Sequence, residues 1–350
     1  MKKIQKISAL VFALILVLIG ISVHGDFIEK DFEQALAEDE NSPVLRPVHR
    51  SLKGVDGSSE SIGGHSQLSE KRIAPTENSH SLLSESDENS HSLLSNSNLE
   101  VHFLDIGQGD SIYIRTPDNQ DILIDGGPDK NVLSELGKVM PYWDHDIDVM
   151  ILTHPHSDHV TGLVEVLRRY DVKQIYYTGV LHTAPDYIAW LEEIQKQQIP
   201  LNIVQSFFEM DFGNEIVLQF LYPQYELKNK KVSELNNSSI VNKLIYKNTA
   251  FLFTGDAEEE QEEELLQMNL DLSADVFKAG HHGSSSSNSE EFLFTVDPEF
   301  VVIQCGENNE FGHPHERVLA RFERLGYQVF RNDLDGTVSF YSDGEAVFTK

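Results

Sequence analysis

The feature that most constrains this chain is a run of six residues, His154-Pro-His156-Ser-Asp158-His159, directly after the apolar segment Val149-Met-Ile-Leu-Thr153. An apolar run of this length bounded by polar residues reads as a buried strand, and a turn at its end is held where the strand puts it. Three imidazoles and a carboxylate crowded at such a place fit a metal site better than a surface turn. Alternate residues on a tight loop project to different sides, so His154 and His156 are expected to face one metal ion and Asp158 and His159 a second. Neutral imidazole suits Zn²⁺, and the carboxylate also admits Mn²⁺ or Fe²⁺.

Two further strand ends carry the same chemistry. The strand expected over 250–253 delivers Asp256, placed either to bridge two metals or to cap the helix expected over 258–268. The strand expected over 274–278 leads into Gly280-His281-His282-Gly283, where glycine lets the backbone approach closely. One of these histidines is expected to ligate metal and the other to face substrate. Asp105, Asp110 and Asp125 also stand near strand ends, either to orient ligating histidines or simply to form turns beside glycine. His313 either borders the pocket or belongs to the turn that starts the helix expected over 315–325. The six glutamates between Glu258 and Glu264 read as a solvated helix face, and Cys305 as structural.

The folded pattern occupies residues 99–350. A strand meander (101–105, 111–115, 122–125) opens it. Helices are expected over 131–140, 162–170 and 185–197, with strands over 174–177, 201–204, 216–221, 239–246 and 300–304. A hairpin over 337–341 and 346–348 closes it. Strands alternate with helices, yet hairpins stand at both ends. That order fits two mixed sheets packed face to face with helices outside, an α/β fold of the αββα sandwich type, better than a doubly wound parallel sheet.

Residues 26–98 are rich in Ser, Glu, Asn and His, and Glu77-Asn-Ser-His-Ser-Leu-Leu-Ser84 recurs as Glu88-Asn-Ser-His-Ser-Leu-Leu-Ser95. Such a stretch cannot bury enough apolar surface to offset its ordering entropy and reads as a disordered spacer. In residues 1–25, Lys2, Lys3 and Lys6 precede an apolar run from Ile7 to about Val23. This is the pattern of an export signal, cleaved or kept as a membrane anchor, and in either case it directs the rest of the chain outward. Cys305 is the only cysteine, which excludes an intramolecular disulfide. The net charge of −30 repels polyphosphate chains unless metals or a basic patch reverse the field locally. No protein partner is indicated.

From about Leu99 to the C-terminus the sequence resembles the metallo-β-lactamase superfamily, and within it the hydrolase domain of ComEC-like DNA-uptake proteins. The resemblance rests on Phe103-Leu-Asp-Ile-Gly-Gln-Gly-Asp110, Leu123-Ile-Asp-Gly-Gly127, Leu152-Thr-His-Pro-His-Ser-Asp-His159, Asn236-Asn-Ser-Ser239, Phe253-Thr-Gly-Asp256 and Lys278-Ala-Gly-His-His-Gly-Ser284. Gly312-His-Pro-His315 and Asp333-Leu-Asp-Gly336 add to it. It implies two divalent ions, Zn²⁺ first and Mn²⁺ as the alternative. His154 and His156 would hold the first, Asp158 and His159 the second, Asp256 would bridge them, and His281 would be the final ligand.

His282 is then left for a phosphate or leaving group, and Asp158 orients a bridging hydroxide that attacks phosphorus or a carbonyl. Classical lactamases have a histidine between the first cluster and Asp256. This chain has Asn236-Asn237-Ser238-Ser239 there, which speaks against β-lactam hydrolysis. Phosphodiesters are the implied substrates, either DNA outside the cell or, as for related phosphorylcholine esterases, a wall polymer. A non-catalytic, metal-stabilised surface module is the reading from another class.

Overall fold

The structure is a computed structural model in which residues 98–349 are described. The export segment expected over 1–25 lies outside the described residues, as does the spacer expected over 26–98 apart from Asn98.

Strands β1 (Leu99–Phe103), β2 (Ile112–Arg115) and β3 (Asp121–Ile124) form the opening meander. Helix α1 (Asn131–Val139), β4 (Asp146–Ile147), β5 (Val149–Ile151), helix α2 (Ser157–Leu167), β6 (Asp171–Val172), β7 (Ile175–Tyr177), helix α3 (Pro185–Gln197) and β8 (Leu201–Ile203) follow. Next come β9 (Phe208–Asp211), β10 (Ile216–Tyr222), β11 (Val241–Tyr246), β12 (Thr249–Phe253), helix α4 (Glu259–Gln267) and β13 (Val276–Lys278). Helix α5 (Glu290–Val296), β14 (Phe300–Ile303), helix α6 (Glu316–Leu325), β15 (Gln328–Arg331), the one-turn α7 (Asn332–Asp335), β16 (Val338–Ser342) and β17 (Val347–Thr349) complete the chain.

One sheet has the order β17-β16-β1-β2-β3-β5-β7-β8 and the other β15-β14-β13-β12-β11-β10-β9. Alternation along the strands explains how they stack. Ile122 and Ile124, Val149 and Ile151, Phe251 and Phe253, and Phe300 and Val302 point into one shared core between the sheets. The intervening Leu123 and Met150 pack instead with Val132, Leu163 and Trp190 of α1 to α3. Leu252, Phe277 and Val301 pack with Leu265, Phe292 and Phe322 of α4 to α6. Three apolar layers between four sets of elements are the αββα sandwich that the strand order predicts.

Two details differ from expectation. Helix α2 begins at Ser157, not near Gly162, so Asp158 and His159 belong to its first turn while His156, extended at φ −75° and ψ 150°, precedes it. An acidic side chain in the first turn is favoured by the helix dipole, and that moves the boundary forward. The glutamate run is also not solvated throughout. Glu262 of α4 is buried, and its carboxylate accepts from the backbone N–H of Asn288 (2.6 Å) and Ser289 (2.8 Å).

Candidate metal centre

The site forms where parallel strands of both sheets end. In the first sheet β3 and β5 run parallel, and in the second β12, β13 and β14 do. Their carboxyl ends deliver Asp125, the His154–His159 segment, Asp256, the two adjacent histidines and Gln304 to one place, as α/β sheets commonly do with functional residues. Glycine brings the layers close. A Cβ on Gly162 of α2 would collide with the Gly126 carbonyl after β3, and one on Gly109 with the Asp158 carbonyl. Those two approaches seat α2 and Asp110 against the ligand loop.

Asp158, His159, Asp256 and His282 each offer one ligand atom within 4.8 Å of the others. Oδ2 of Asp256 lies 3.3 Å from Nε2 of both His159 and His282, and 3.8 Å from Nε2 of His154. Nε2 of His282 is 3.4 Å from Oδ2 of Asp158. Nε2 of His154 is 3.0 Å from Nδ1 of His156, so that pair adjoins Asp256 through His154.

The supporting hydrogen bonds fix which nitrogen is free. Nδ1 of His159 donates to Oδ2 of Asp125 (2.8 Å), and Nδ1 of His282 donates to the Gln304 carbonyl (2.9 Å), with Asp110 3.2 Å away. Because a carboxylate and a carbonyl only accept, both rings carry a proton on Nδ1 and turn Nε2 inward. Asp125 is itself held by the N–H (2.8 Å) and hydroxyl (2.6 Å) of Thr153.

Buried polar atoms ordinarily find partners. Here Nε2 of His159, Nε2 of His282 and Oδ1 of Asp256 are buried without a hydrogen bond among the described residues. Imidazole nitrogens and carboxylates converging in that state fit a divalent cation, which takes the place of any Nε2 proton and supplies the missing interaction.

The electrostatics follow from the crowding. Burial favours the neutral form of His159, yet Asp256, Asp125 and Asp158 outweigh it and raise its pKa well above the usual 6.5. For His282 burial is likewise outweighed by Asp256 and Asp110. Burial and the neighbouring His159 push His154 well below that value and also lower His156. Burial would raise Asp256 and Asp158, but His282 and His159 hold both carboxyls below the usual carboxylate range.

The remaining expected residues fall at graded distances. His281 sits at the rim, its side chain 21% exposed, with Nδ1 3.1 Å from Glu258 and Nε2 3.8 Å from Asp256. Ser239 Oγ accepts from the Asp256 N–H (3.1 Å) and lies 3.3 Å from Nδ1 of His154. Asn237 accepts from the N–H of Glu258 (2.9 Å), so it secures the start of α4 rather than touching the cluster. The His313 ring stands 5.2 Å from that of His281, and burial together with His282 and His281 pushes its pKa down to about 4. Asp105 joins neither carboxylate–imidazole group; its backbone N–H donates to Thr337. Lys278 carried no site role in the sequence reading and Glu258 was expected on a solvated helix face, yet both touch this network. The signal for Lys278 was a lysine closing the apolar run Val276-Phe-Lys278 just before the paired histidines.

Residues 104–306, more than half of the chain, match the metallo-β-lactamase superfamily. The chain belongs to that superfamily. Among curated relatives, this superfamily member is 30% identical over 261 residues to ComE operon protein 3 of Bacillus subtilis, covering 69% of this chain and 33% of the relative. It is 28% identical over 246 residues to competence protein ComA of Neisseria gonorrhoeae, covering 67% of this chain and 31% of the relative. It thus spans about a third of the length of these relatives. Among solved structures, the metallo-β-lactamase fold protein YhfI from Bacillus subtilis aligns with a TM-score of 0.45 at 13% identity, covering 66% of this chain and 96% of that one.

Proposed function

We propose that this chain is an exported, metal-dependent phosphodiesterase of the ComEC-like kind that acts on DNA outside the cell. The observation that carries the reading is the buried convergence of Asp158, His159, Asp256 and His282, with two imidazole Nε2 atoms left without a hydrogen bond. On this reading those four residues hold one divalent ion, and His154, His156 and Asp256 hold a second, Zn²⁺ or Mn²⁺ in each. His282 rather than His281 is then the final histidine ligand, because it is the one enclosed and oriented by Gln304. Such ions, when bound, lower the pKa of coordinated water and stabilise negative charge developing on a phosphoryl oxygen.

The residues around them have separate tasks. Asp158, whose side chain is 27% exposed, is the ligand that reaches solvent and orients the attacking water. Asp125 and Asp110 steady His159 and His282. His281, held through Nδ1 by Glu258, turns Nε2 toward the centre and contacts the phosphate with His313 beside it. The apolar run after Lys6 carries the domain outward, as a cleaved signal or as a membrane anchor.

A second reading, hydrolysis of a choline-bearing wall polymer, is favoured by the net charge of −30, which opposes polyanion binding. The test is to incubate the purified chain and Mn²⁺ or Zn²⁺ with single-stranded DNA, bis-p-nitrophenyl phosphate and p-nitrophenyl phosphorylcholine. DNA and the simple diester are expected to be cleaved. Cleavage of the choline ester alone overturns the nuclease reading, and no turnover with one saturated metal points to a non-catalytic surface module.

A further inference from the structure

Lys278 closes β13 and is fully buried. Its ammonium donates to the Gly255 carbonyl (2.8 Å), pairs with Oδ2 of Asp110 and lies 3.8 Å from Oδ1 of Asp256. Asp256 is therefore divided. Its Oδ2 faces the imidazoles of His159 and His282 at 3.3 Å and those of His154 and His281 at 3.8 Å. Its Oδ1 faces Lys278 and has no hydrogen bond.

The two sides of Asp256 also differ in donors. Asp158 stands with His159 and His282, whereas among the described residues no further carboxylate is grouped with His154 and His156. A hydroxyl, Ser239 Oγ, stands behind His154 there and is already engaged by the Asp256 N–H.

We propose that Lys278 is a fixed cation of the metal centre that makes its two metal positions unequal. This rests on the metal-binding reading above. With Oδ1 drawn toward the positive charge of Lys278, Asp256 offers only Oδ2 to the two positions, 3.3 Å from Nε2 of His159 and of His282 and 3.8 Å from that of His154. Oδ2 serves the position of Asp158, His159 and His282, which fills first. The position of His154 and His156 fills only at higher metal concentration. Lys278 is thus a positioning residue: it acts through Asp256 and through Asp110, which lies against Nδ1 of His282.

The test compares the full chain with a K278M/D110N variant, which removes both buried charges together and so leaves neither unpaired. His282 keeps its bond to the Gln304 carbonyl in that variant. The chelator-stripped proteins are titrated with Mn²⁺ by calorimetry and by electron paramagnetic resonance, which separates isolated from spin-coupled ions. The wild type is expected to take one Mn²⁺ at least ~10-fold more tightly than the next, with an uncoupled signal at one equivalent. In the double variant the second Kd is expected to tighten by about 10-fold, while the first weakens because the Asp110 carboxylate no longer steadies His282.

Two equally tight, coupled ions in the wild type overturn the proposal even if the variant does not fold. So does a second Kd that stays put in a folded variant. A wild type that binds no Mn²⁺ at these positions is a different failure, and takes the metal-centre reading down with it.

Discussion

Nδ1 of His159 and of His282 is committed, one to Asp125 and the other to the Gln304 carbonyl, and this leaves Nε2 as the ligand face of each ring. Removing such an orienting partner typically costs about 10–100-fold in metal affinity. D125A is expected to lose that much in a chelator-competition titration, while D105A, outside both ligand groups, keeps wild-type affinity. Equal affinities for the two variants would remove Asp125 from the account. D158A is expected to reduce kcat on the simple diester by ~10²-fold or more with an unchanged circular dichroism spectrum, since a water-orienting group contributes on that order.

His154, His156, Asp158, His159 and Asp256, which the structure brings together, could be picked out because each lies in the segment that follows an apolar strand. Which of His281 and His282 turns inward could not. Both adopt left-handed backbone, at φ 47° and 54°, a strained choice for two consecutive histidines that spacing does not reveal. Lys278 heads the motif Lys278-Ala-Gly-His-His-Gly-Ser284, but its spacing gives it no role, because only the packing of the second sheet shows that its ammonium is enclosed.

At the scale of elements, the site depends on how closely α2 lies against the turn after β3. Gly162 permits that approach, since any Cβ there would meet the Gly126 carbonyl. G162A is expected to lower unfolding free energy by about 1–3 kcal/mol, the usual cost of overpacking, read from the urea midpoint. It should also weaken metal binding, because Asp158 and His159 ride on the first turn of the displaced helix. A fully stable G162A with native metal affinity would show the contact to be incidental.

The strand order was readable from apolar alternation, whereas the short or half-exposed β4, β6, β9 and β15 carry too little apolar pattern to stand out. The burial of Glu262 was equally hidden, because its partners are backbone groups at Asn288 and Ser289, distant along the chain.

For the whole molecule, the clustered charges link stability to pH. His159 and His282 have pKa values raised above 6.5 in the fold, so the stability they contribute is complete below 6.5 and is lost as pH climbs through the raised values. Asp256, Asp158 and Asp110 are held below 3.8, so their contribution is present above 3.8 and is lost as pH falls. Asp125, raised by burial, works the other way at the acid end.

The chelator-stripped protein should therefore be most stable between the usual carboxylate and histidine ranges, with Tm falling above pH 6.5. Metal replaces those protons, so at 100 times Kd it should add about 2.7 kcal/mol, and its affinity should rise with pH. Thermal melts with and without Mn²⁺ from pH 5 to 9 check both trends, and a stripped protein whose Tm rises steadily with pH would contradict the assigned charges.

Anomalous X-ray scattering at the manganese edge, from crystals grown with Mn²⁺, reads out whether these side chains hold metal. A peak enclosed by Asp158, His159, Asp256 and His282 is expected, with a weaker one beside His154 and His156. Manganese found only at surface carboxylates, with those side chains unmoved and unliganded, would contradict the metal-centre reading.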